Sequence, residues 1–282
     1  MGKPEKILQI EIISNILREL APIALAFSGG LDSRFLAHAA RLASCNILLL
    51  HASGPHVNPS ESDRAKLWAA EQGFPLRVVP FDPLTLPAVA ANTRDRCYSC
   101  KRALLKALRP HAAGRAFCDG TQTDDLLHPH RPGLRAAKEA GLRFPLVEAG
   151  LGKARLRELA AFSGLSQPMQ PPRPCLLTRL AYGLRPDTEI LARLAAAETA
   201  LEDAGLRDFR LRLTPTPQLH VPALPETLRG PVTRVLTAHG FAGTQLVQVE
   251  TLSGFFDRAG GGHLDPQDIY TVFAKHIFRS TS

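Results

Sequence analysis

The chain has 282 residues, 45% hydrophobic and 21% charged, which is apolar material enough for one large domain or two modest ones and excludes disorder or a fibre. Lys and Arg exceed Asp and Glu by 34 − 26 = +8, a balance that suits an anionic partner such as a nucleotide or RNA and decides between neither. No apolar run reaches the ~18 residues that span a bilayer, and the start of the chain carries acidic residues among its apolar ones without a cleavage site, so a cytoplasmic protein that avoids membranes is expected.

Leu8, Ile12, Ile13, Ile16, Leu17 and Leu20 follow helical spacing and predict a packed N-terminal helix. The apolar run Pro22 to Phe27 predicts a strand ending in Ser-Gly-Gly, followed by a helix over 33–42. Further strands are expected at 46–51, in LRVVPF and over 115–120, with a helix capped by Ser60 running to Gln72. Short apolar strands joined by helices imply a parallel sheet covered on both faces, an α/β fold. Four prolines between Ser166 and Cys175 make a rigid extended loop. A helix is then expected from Asp187 to Ala204, a strand over 209–213, a Pro-rich connection, a helix over 227–239 and a strand over 244–250. This tail reads as a smaller, βαβ-like unit. The expected division is 1–184 and 185–282, and the stretch from Gly260 is expected to be partly mobile.

The sharpest motif is AFSGGLDS, Ala26 to Ser33. Its glycines remove side chains where a phosphate must approach the backbone, and free N–H groups of the turn and helix start can hold the anion. Asp32 can also reach a phosphate-bound Mg²⁺. A tight turn with a Ser/Asp cap is the plainer reading, but the full S-G-G-x-D-S after a strand favours nucleotide binding. At these residues the chain resembles the PP-loop ATP pyrophosphatases, with their adenine nucleotide hydrolase-like fold. The resemblance implies a loop that binds ATP, adenylates an oxygen of a second substrate and releases pyrophosphate. The candidate ATP-binding residues are Ala26, Phe27, Ser28, Gly29, Gly30, Asp32 and Ser33, with Gly120 at the end of the fourth strand.

Five cysteines, an odd number, argue for a reducing compartment. Cys97 and Cys100 form a C-x-x-C opening a helix, which fits a redox pair, half a zinc site or two unrelated thiols equally well. Cys45 and Cys118 sit in or beside apolar strands and are expected in the core. Cys175 lies in RPCLLTRLAYG, a polar setting with nearby positive charge that would favour a reactive thiol. The segments RCYSCKRALL, DGTQTDDLLHPHRPGLRAAKEAG, FPLVEAGLGKARLRELA and PCLLTRLAYG, in order after AFSGGLDS, resemble LarE-type sulfur transferases over roughly residues 5 to 205. Enzymes of that kind thiolate a pyridinium-biscarboxylate mononucleotide for the nickel-pincer cofactor. The resemblance makes Cys175 the sulfur-bearing cysteine. Members with that cysteine alone sacrifice its sulfur and become dehydroalanine; Cys97, Cys100 and Cys175 together match the subgroup holding a [4Fe–4S] cluster. Three ligands leave one iron open for an extra sulfide.

Arg210 and Arg212 form an R-x-R on one strand face, suited to a mononucleotide phosphate or merely solvated. The resemblance assigns them the acceptor phosphate. Arg179, four residues after Cys175, could contact the acceptor or ATP, and Glu198 matches an acidic position of the family's second domain that could bind metal or face solvent. Two departures from the family pattern stand out. His128 and His130 occupy a stretch where an acidic residue is usual, as ligands or as solvent-facing loop histidines, and Arg34 stands where a small residue is common. The expected protein is an ATP- and Mg²⁺-dependent sulfur transferase with a small nucleotide-like acceptor, forming a homo-oligomer. The sulfur donor is open. A cluster-dependent tRNA thiolase of the same superfamily and a nucleotide-sensing or iron–sulfur protein without catalysis are the alternatives.

Overall fold

The computed structural model describes residues 2–127 and 132–257. His128, His130 and the stretch from Gly260 lie outside the described residues. The elements run in the order α1 (Lys3–Leu20), β1 (Ile23–Ala26), α2 (Leu31–Leu42), β2 (Ile47–Ser53), α3 (Pro59–Glu71), β3 (Leu76–Pro80), α4 (Pro87–Ala90), α5 (Arg96–Leu108), β4 (Ala116–Asp119), α6 (Thr123–Leu127), α7 (Pro132–Glu139), α8 (Pro145–Glu148), α9 (Lys153–Phe162), α10 (Thr188–Asp203), β5 (Arg210–Arg212), β6 (Gln218–Val221), α11 (Glu226–Ala238) and β7 (Gln245–Gln248), with short 3₁₀ turns between some of them. The chain divides into two compact units. One comprises Met1–Gly54, Ser60–Pro83 and Cys97–Arg173; the other comprises Pro55–Pro59, Leu84–Arg96 and the chain from Pro174.

The first unit is built on a four-stranded, all-parallel sheet in the order β3-β2-β1-β4. The expected parallel sheet flanked by helices is therefore what the chain forms. Its central strand explains why. Ile23 and Leu25 enter one cluster with Ile13, Leu17, Phe35, Leu36, Leu156 and Leu159, while Ala24 faces a second cluster with Leu50, Val79, Leu105, Leu108 and Phe117. A strand buried on both faces reads as a continuous apolar run rather than an alternating one. The chain leaves β1 for β2 on one side and later returns to pair β4 on the other. That reversal opens a crevice beyond the carboxyl ends of β1 and β4, the place where open α/β sheets bind ligands. The third helix starts at Pro59, so Ser60 lies inside its first turn rather than capping it.

The second unit carries a three-stranded sheet, β5-β6-β7, with β5 and β6 antiparallel and β6 and β7 parallel. The expected strand–helix–strand tail thus holds one strand more. Gln218–Val221 lies within the Pro-rich connection, flanked by Pro217, whose carbonyl accepts from Gln245 N at 2.9 Å, and by Pro222. The parallel pair joined through a helix is β6–α11–β7. The α10 helix is N-capped as its sequence suggests: Asp187 Oδ1 accepts from Ile190 N at 2.7 Å. Among the described residues no helix is long and apolar enough to cross a membrane.

Candidate active site

The AFSGGLDS segment occupies the crevice between β1 and β4. Gly29 has φ +78°, and a Cβ placed there would lie 2.6 Å from the Ala65 Cβ on α3. Both facts require glycine: the left-handed backbone, and the helix packed against it. Gly30 N donates to Ser28 Oγ at 3.3 Å, and Ser33 Oγ donates to Gly30 O at 3.0 Å. These bonds shape the turn, and the first N–H groups of α2 have no carbonyl one turn back to bond. Gly120, just past β4, completes the wall. A Cβ there would sit 3.0 Å from Ser33 N and 3.2 Å from the Asp32 carbonyl carbon. Gly120 thus keeps a side chain away from the start of α2 while Gly29 permits the turn that leads into it, which makes a cradle for an anion.

Asp32, in the first turn of α2, meets Lys153 Nζ at 2.5 Å through Oδ1. Burial pushes the Asp32 carboxyl above its ordinary range, against the opposing pull of Lys153. At the end of β4, Asp119 Oδ2 accepts from Lys101 Nζ at 3.0 Å while its Oδ1 accepts from Thr121 N at 3.0 Å. Lys101 immediately follows Cys100 on α5.

The cysteines separate by environment. Cys118 is fully buried, and burial pushes its thiol up to about 12. Cys45 is part-buried against the core, and its thiol is also raised by burial. Neither favours a thiolate, in line with the expected core role. Cys97 and Cys100 are part-exposed, one turn apart on α5 in the first unit. Cys175, also part-exposed, belongs to the second unit. Among the described residues no group of three or more Cys, His, Asp or Glu side chains is gathered in a metal-binding arrangement.

Cys175 starts a 3₁₀ turn, Leu176–Arg179, that folds back onto a buried ion pair. Arg179 is 1% exposed. Its Nε and Nη2 donate to the two oxygens of Glu198, at 2.9 and 2.8 Å, and its Nη1 donates to Pro174 O at 3.0 Å and Thr178 Oγ1 at 2.9 Å. Burial alone would raise the Glu198 carboxyl, but the Arg179 charge and hydrogen bonds outweigh it and hold the group below its usual range, with Leu211 N at 3.1 Å helping. Arg210 and Arg212 are each 3% exposed, so the solvated-face reading of this pair is excluded. Arg212 donates to Thr178 O and Leu252 O at 3.1 and 2.5 Å and lies over the rings of Phe255 and Phe256. Its Nε donates to His220 Nδ1 at 3.3 Å, and His220 Nε2 lies 2.8 Å from Gln218 Oε1. Thr178 thus links the R-x-R strand to the turn that bears Cys175.

Three further residues support the first unit's site, and two of them, His51 and Lys153, carry no local sequence mark. His51 bonds Phe27 O at 2.9 Å and Ser62 Oγ at 2.8 Å, tying the loop to α3, and burial holds its ring below the ordinary range and neutral. Lys153 starts a helix that periodicity alone does not single out. Arg34 holds the proline loop through Ser166 O, Gln167 O and Gln170 Oε1, at 3.1, 3.2 and 2.5 Å. A bulky basic residue behind the phosphate loop, flagged by its mere oddity in the sequence, is therefore a buried strut.

No family model matches the chain. Individual proteins do. An uncharacterised protein of Synechocystis is 33% identical over 208 residues, 72% of this chain and 77% of that protein. The pyridinium-3,5-bisthiocarboxylic acid mononucleotide synthase of Lactiplantibacillus plantarum is 31% identical over 201 residues, 70% of this chain and 72% of the synthase. An uncharacterised protein of Methanocaldococcus jannaschii is 28% identical over 193 residues, 67% of this chain and 73% of that protein. Identity above 30% across more than two thirds of the synthase, carried by a chain whose glycine cradle sits at the reversal of a parallel sheet, means that this chain belongs to the LarE family of sulfur transferases.

Proposed function

We propose that this protein uses ATP to adenylate a carboxylate of a pyridinium-dicarboxylate mononucleotide-like acceptor and then replaces the activated oxygen with sulfur, as in nickel-pincer cofactor synthesis. The observation that carries the reading is the cradle of Gly29, Gly30 and Gly120 at the start of α2, lined by Ser28, Ser33 and Asp32. The activity for which the Lactiplantibacillus relative is named supplies the acceptor class.

The chemistry balances in two steps. A carboxylate oxygen of the acceptor attacks the α-phosphorus of ATP. The bond from that phosphorus to the bridging oxygen breaks, and pyrophosphate leaves with the electron pair. Sulfide then attacks the acyl carbon, the carbon–oxygen bond to AMP breaks, and a thiocarboxylate and a proton remain. Activation is needed because a carboxylate oxygen is a poor leaving group and AMP is a good one. In this reading the residues from Ala26 to Gly30, with Ser33 and Gly120, hold the nucleotide, and Asp32 carries Mg²⁺. Arg210 and Arg212 take the acceptor's phosphate, where two guanidiniums on one strand can grip it. Arg179 and Glu198 border the acceptor and fix the Cys175 turn. A [4Fe–4S] cluster, when bound, would be held by Cys97, Cys100 and Cys175 and would supply sulfide without consuming a cysteine at each turnover.

The test is an assay of anaerobically purified protein with ATP, Mg²⁺ and pyridinium-3,5-dicarboxylate mononucleotide. Pyrophosphate release should require the acceptor and vanish in Asp32→Ala without loss of fold. Bound iron and visible absorbance should disappear when Cys97, Cys100 or Cys175 is changed to Ser and persist when Cys45 or Cys118 is changed. Wild-type protein that releases no pyrophosphate with the acceptor would overturn the adenylation. Iron-free protein that ends one turnover with dehydroalanine at Cys175 would overturn the cluster and leave the sulfur transfer standing.

A further inference from the structure

The phosphate loop faces a lysine whose position is unusually well fixed for a surface cation. Lys153 is the first residue of α9. Its backbone N–H donates to Asp124 Oδ2 at 2.8 Å, and its Nζ reaches Asp32 Oδ1 at 2.5 Å. The residue before it cannot be other than glycine without rearrangement. A Cβ on Gly152 would lie 2.6 Å from Asp124 Oδ1 and 3.0 Å from Thr123 Oγ1. Thr123 N also donates to Leu151 O at 2.9 Å. Residues 120–124, leaving β4, and residues 151–153, entering α9, are therefore laced together. The lacing sets the Lys153 ammonium at the mouth of the glycine cradle. Neither member of the Lys153–Asp32 pair is sealed off, with side chains 27% and 29% exposed.

A salt bridge so exposed contributes little to stability, and the scaffold behind it is far more elaborate than such a contribution needs. What the pair does is hold two opposite charges at one anion site. Each of them has an alternative partner in a metal–polyphosphate: the carboxylate a divalent cation, the ammonium a phosphate oxygen.

We propose that Lys153 binds the pyrophosphate half of ATP, exchanging Asp32 for it when the nucleotide arrives, and stabilises the charge that gathers on the departing pyrophosphate. The proposal rests on the adenylation reading above. The bond that breaks joins the α-phosphorus to the bridging oxygen, and the electron pair goes to that oxygen. A fixed cation facing the leaving group lowers the energy of this charge as it develops.

The experiment measures binding as well as turnover. Calorimetric titration of the full-length protein with magnesium pyrophosphate, magnesium ATP and AMP should show that Lys153→Met weakens pyrophosphate and ATP about ten- to hundredfold, the loss of one charge-assisted contact, and leaves AMP unchanged within about twofold. Lys153→Arg should restore most of the pyrophosphate affinity. The double variant Asp32→Asn/Lys153→Met carries no uncompensated carboxylate, and titrated beside the wild type with metal-free pyrophosphate, where Asp32 has no Mg²⁺ to hold, it separates the roles. If Lys153 merely neutralises Asp32, the double variant recovers wild-type pyrophosphate affinity; under this proposal it does not. Recovery in the double variant, unchanged pyrophosphate affinity in Lys153→Met, or equal weakening of AMP would each overturn the proposal. Wild-type protein that binds pyrophosphate in this Lys153-dependent way yet releases none with the acceptor would instead overturn the adenylation reading, so the two failures are told apart.

Discussion

Arg179 commits one edge of its guanidinium to a single carboxylate and the other to the turn that carries Cys175. Two charges withdrawn from water cost several kcal/mol each, and here only their mutual contact and the surrounding backbone offset it. Removing one partner leaves the other buried and uncompensated. Glu198→Ala should therefore lower unfolding stability by about 3–5 kcal/mol in a urea titration, and a cost below about 1 kcal/mol would show that the pair is open to water. His220 makes a second residue-scale prediction. Burial, and then the Arg212 charge, bring its ring from 6.5 down to about 4. The folded state thus holds the ring neutral where the unfolded chain would bind a proton. This contribution to stability is therefore complete above pH 6.5 and is lost as pH falls toward about 4. His220→Asn keeps an acceptor for Arg212 and removes the titration. The urea midpoint of the wild type should drop more between pH 7 and pH 5 than that of the variant. His38 and His51, whose rings burial also holds below the ordinary range, shift both proteins alike. Parallel pH profiles would sink the assignment.

Between residue and fold, α2 acts in two directions. Its first turn makes the cradle, and Arg34, one residue beyond Ser33, reaches back to the proline loop. The guanidinium is 3% exposed and also lies over the Trp68 ring, whose other neighbours are Phe27 and Phe74. Proline stiffens residues 166–174 but does not anchor them. The anchoring comes from Arg34 and from an Arg173–Glu61 ion pair at 3.7 Å. Arg34→Ala should release the loop while the sheet stays folded. Thermolysin cleavage mapped to residues 166–173 should accelerate about tenfold or more, the cost of opening having lost its charge-assisted hydrogen bonds. Equal cleavage rates would show that the prolines suffice. Elements also differ in how openly the sequence declares them. The parallel strands are legible because burial on both faces leaves an uninterrupted apolar run. The β6 strand is not, because its four residues stand between prolines and two of them, Gln218 and the fully buried His220, are polar and break the apolar run. Burial of the R-x-R pair is equally invisible, since period-two spacing places two side chains on one face without saying what covers it.

For the molecule as a whole, the loop motif, the C-x-x-C and Cys175 can be read directly because each needs particular residue types at fixed spacing. Lys153 and His51 cannot, because no local pattern announces partners such as Asp32, 121 residues from Lys153, and Arg34 stands out only as a departure from the resembled family's pattern, which does not say what it holds. The grouping of segments into units is of this second kind. Asn92, fully buried at φ +49°, donates from Nδ2 to Ala181 O and Leu184 O, both at 2.7 Å, and accepts from Arg96 through Oδ1. Leu176 N donates to His56 O at 2.8 Å, and Asn58 Nδ2 to Ala195 O at 3.3 Å. No composition shift marks 55–59 or 84–96 as belonging with the chain beyond Pro174.

These long-range bonds set an order of events during synthesis. The segments around Asn58 and Asn92 leave the ribosome well before the carbonyls of Ala181, Leu184 and Ala195 exist, so the nascent first unit must tolerate two excursions whose partners are still being translated. The second unit closes only when α10 has emerged. A gene severed at codon 174 gives an upstream piece with two orphaned loops and a downstream piece lacking the residues that brace it, so a graft of either piece onto a homologue would have to carry the short segments with it.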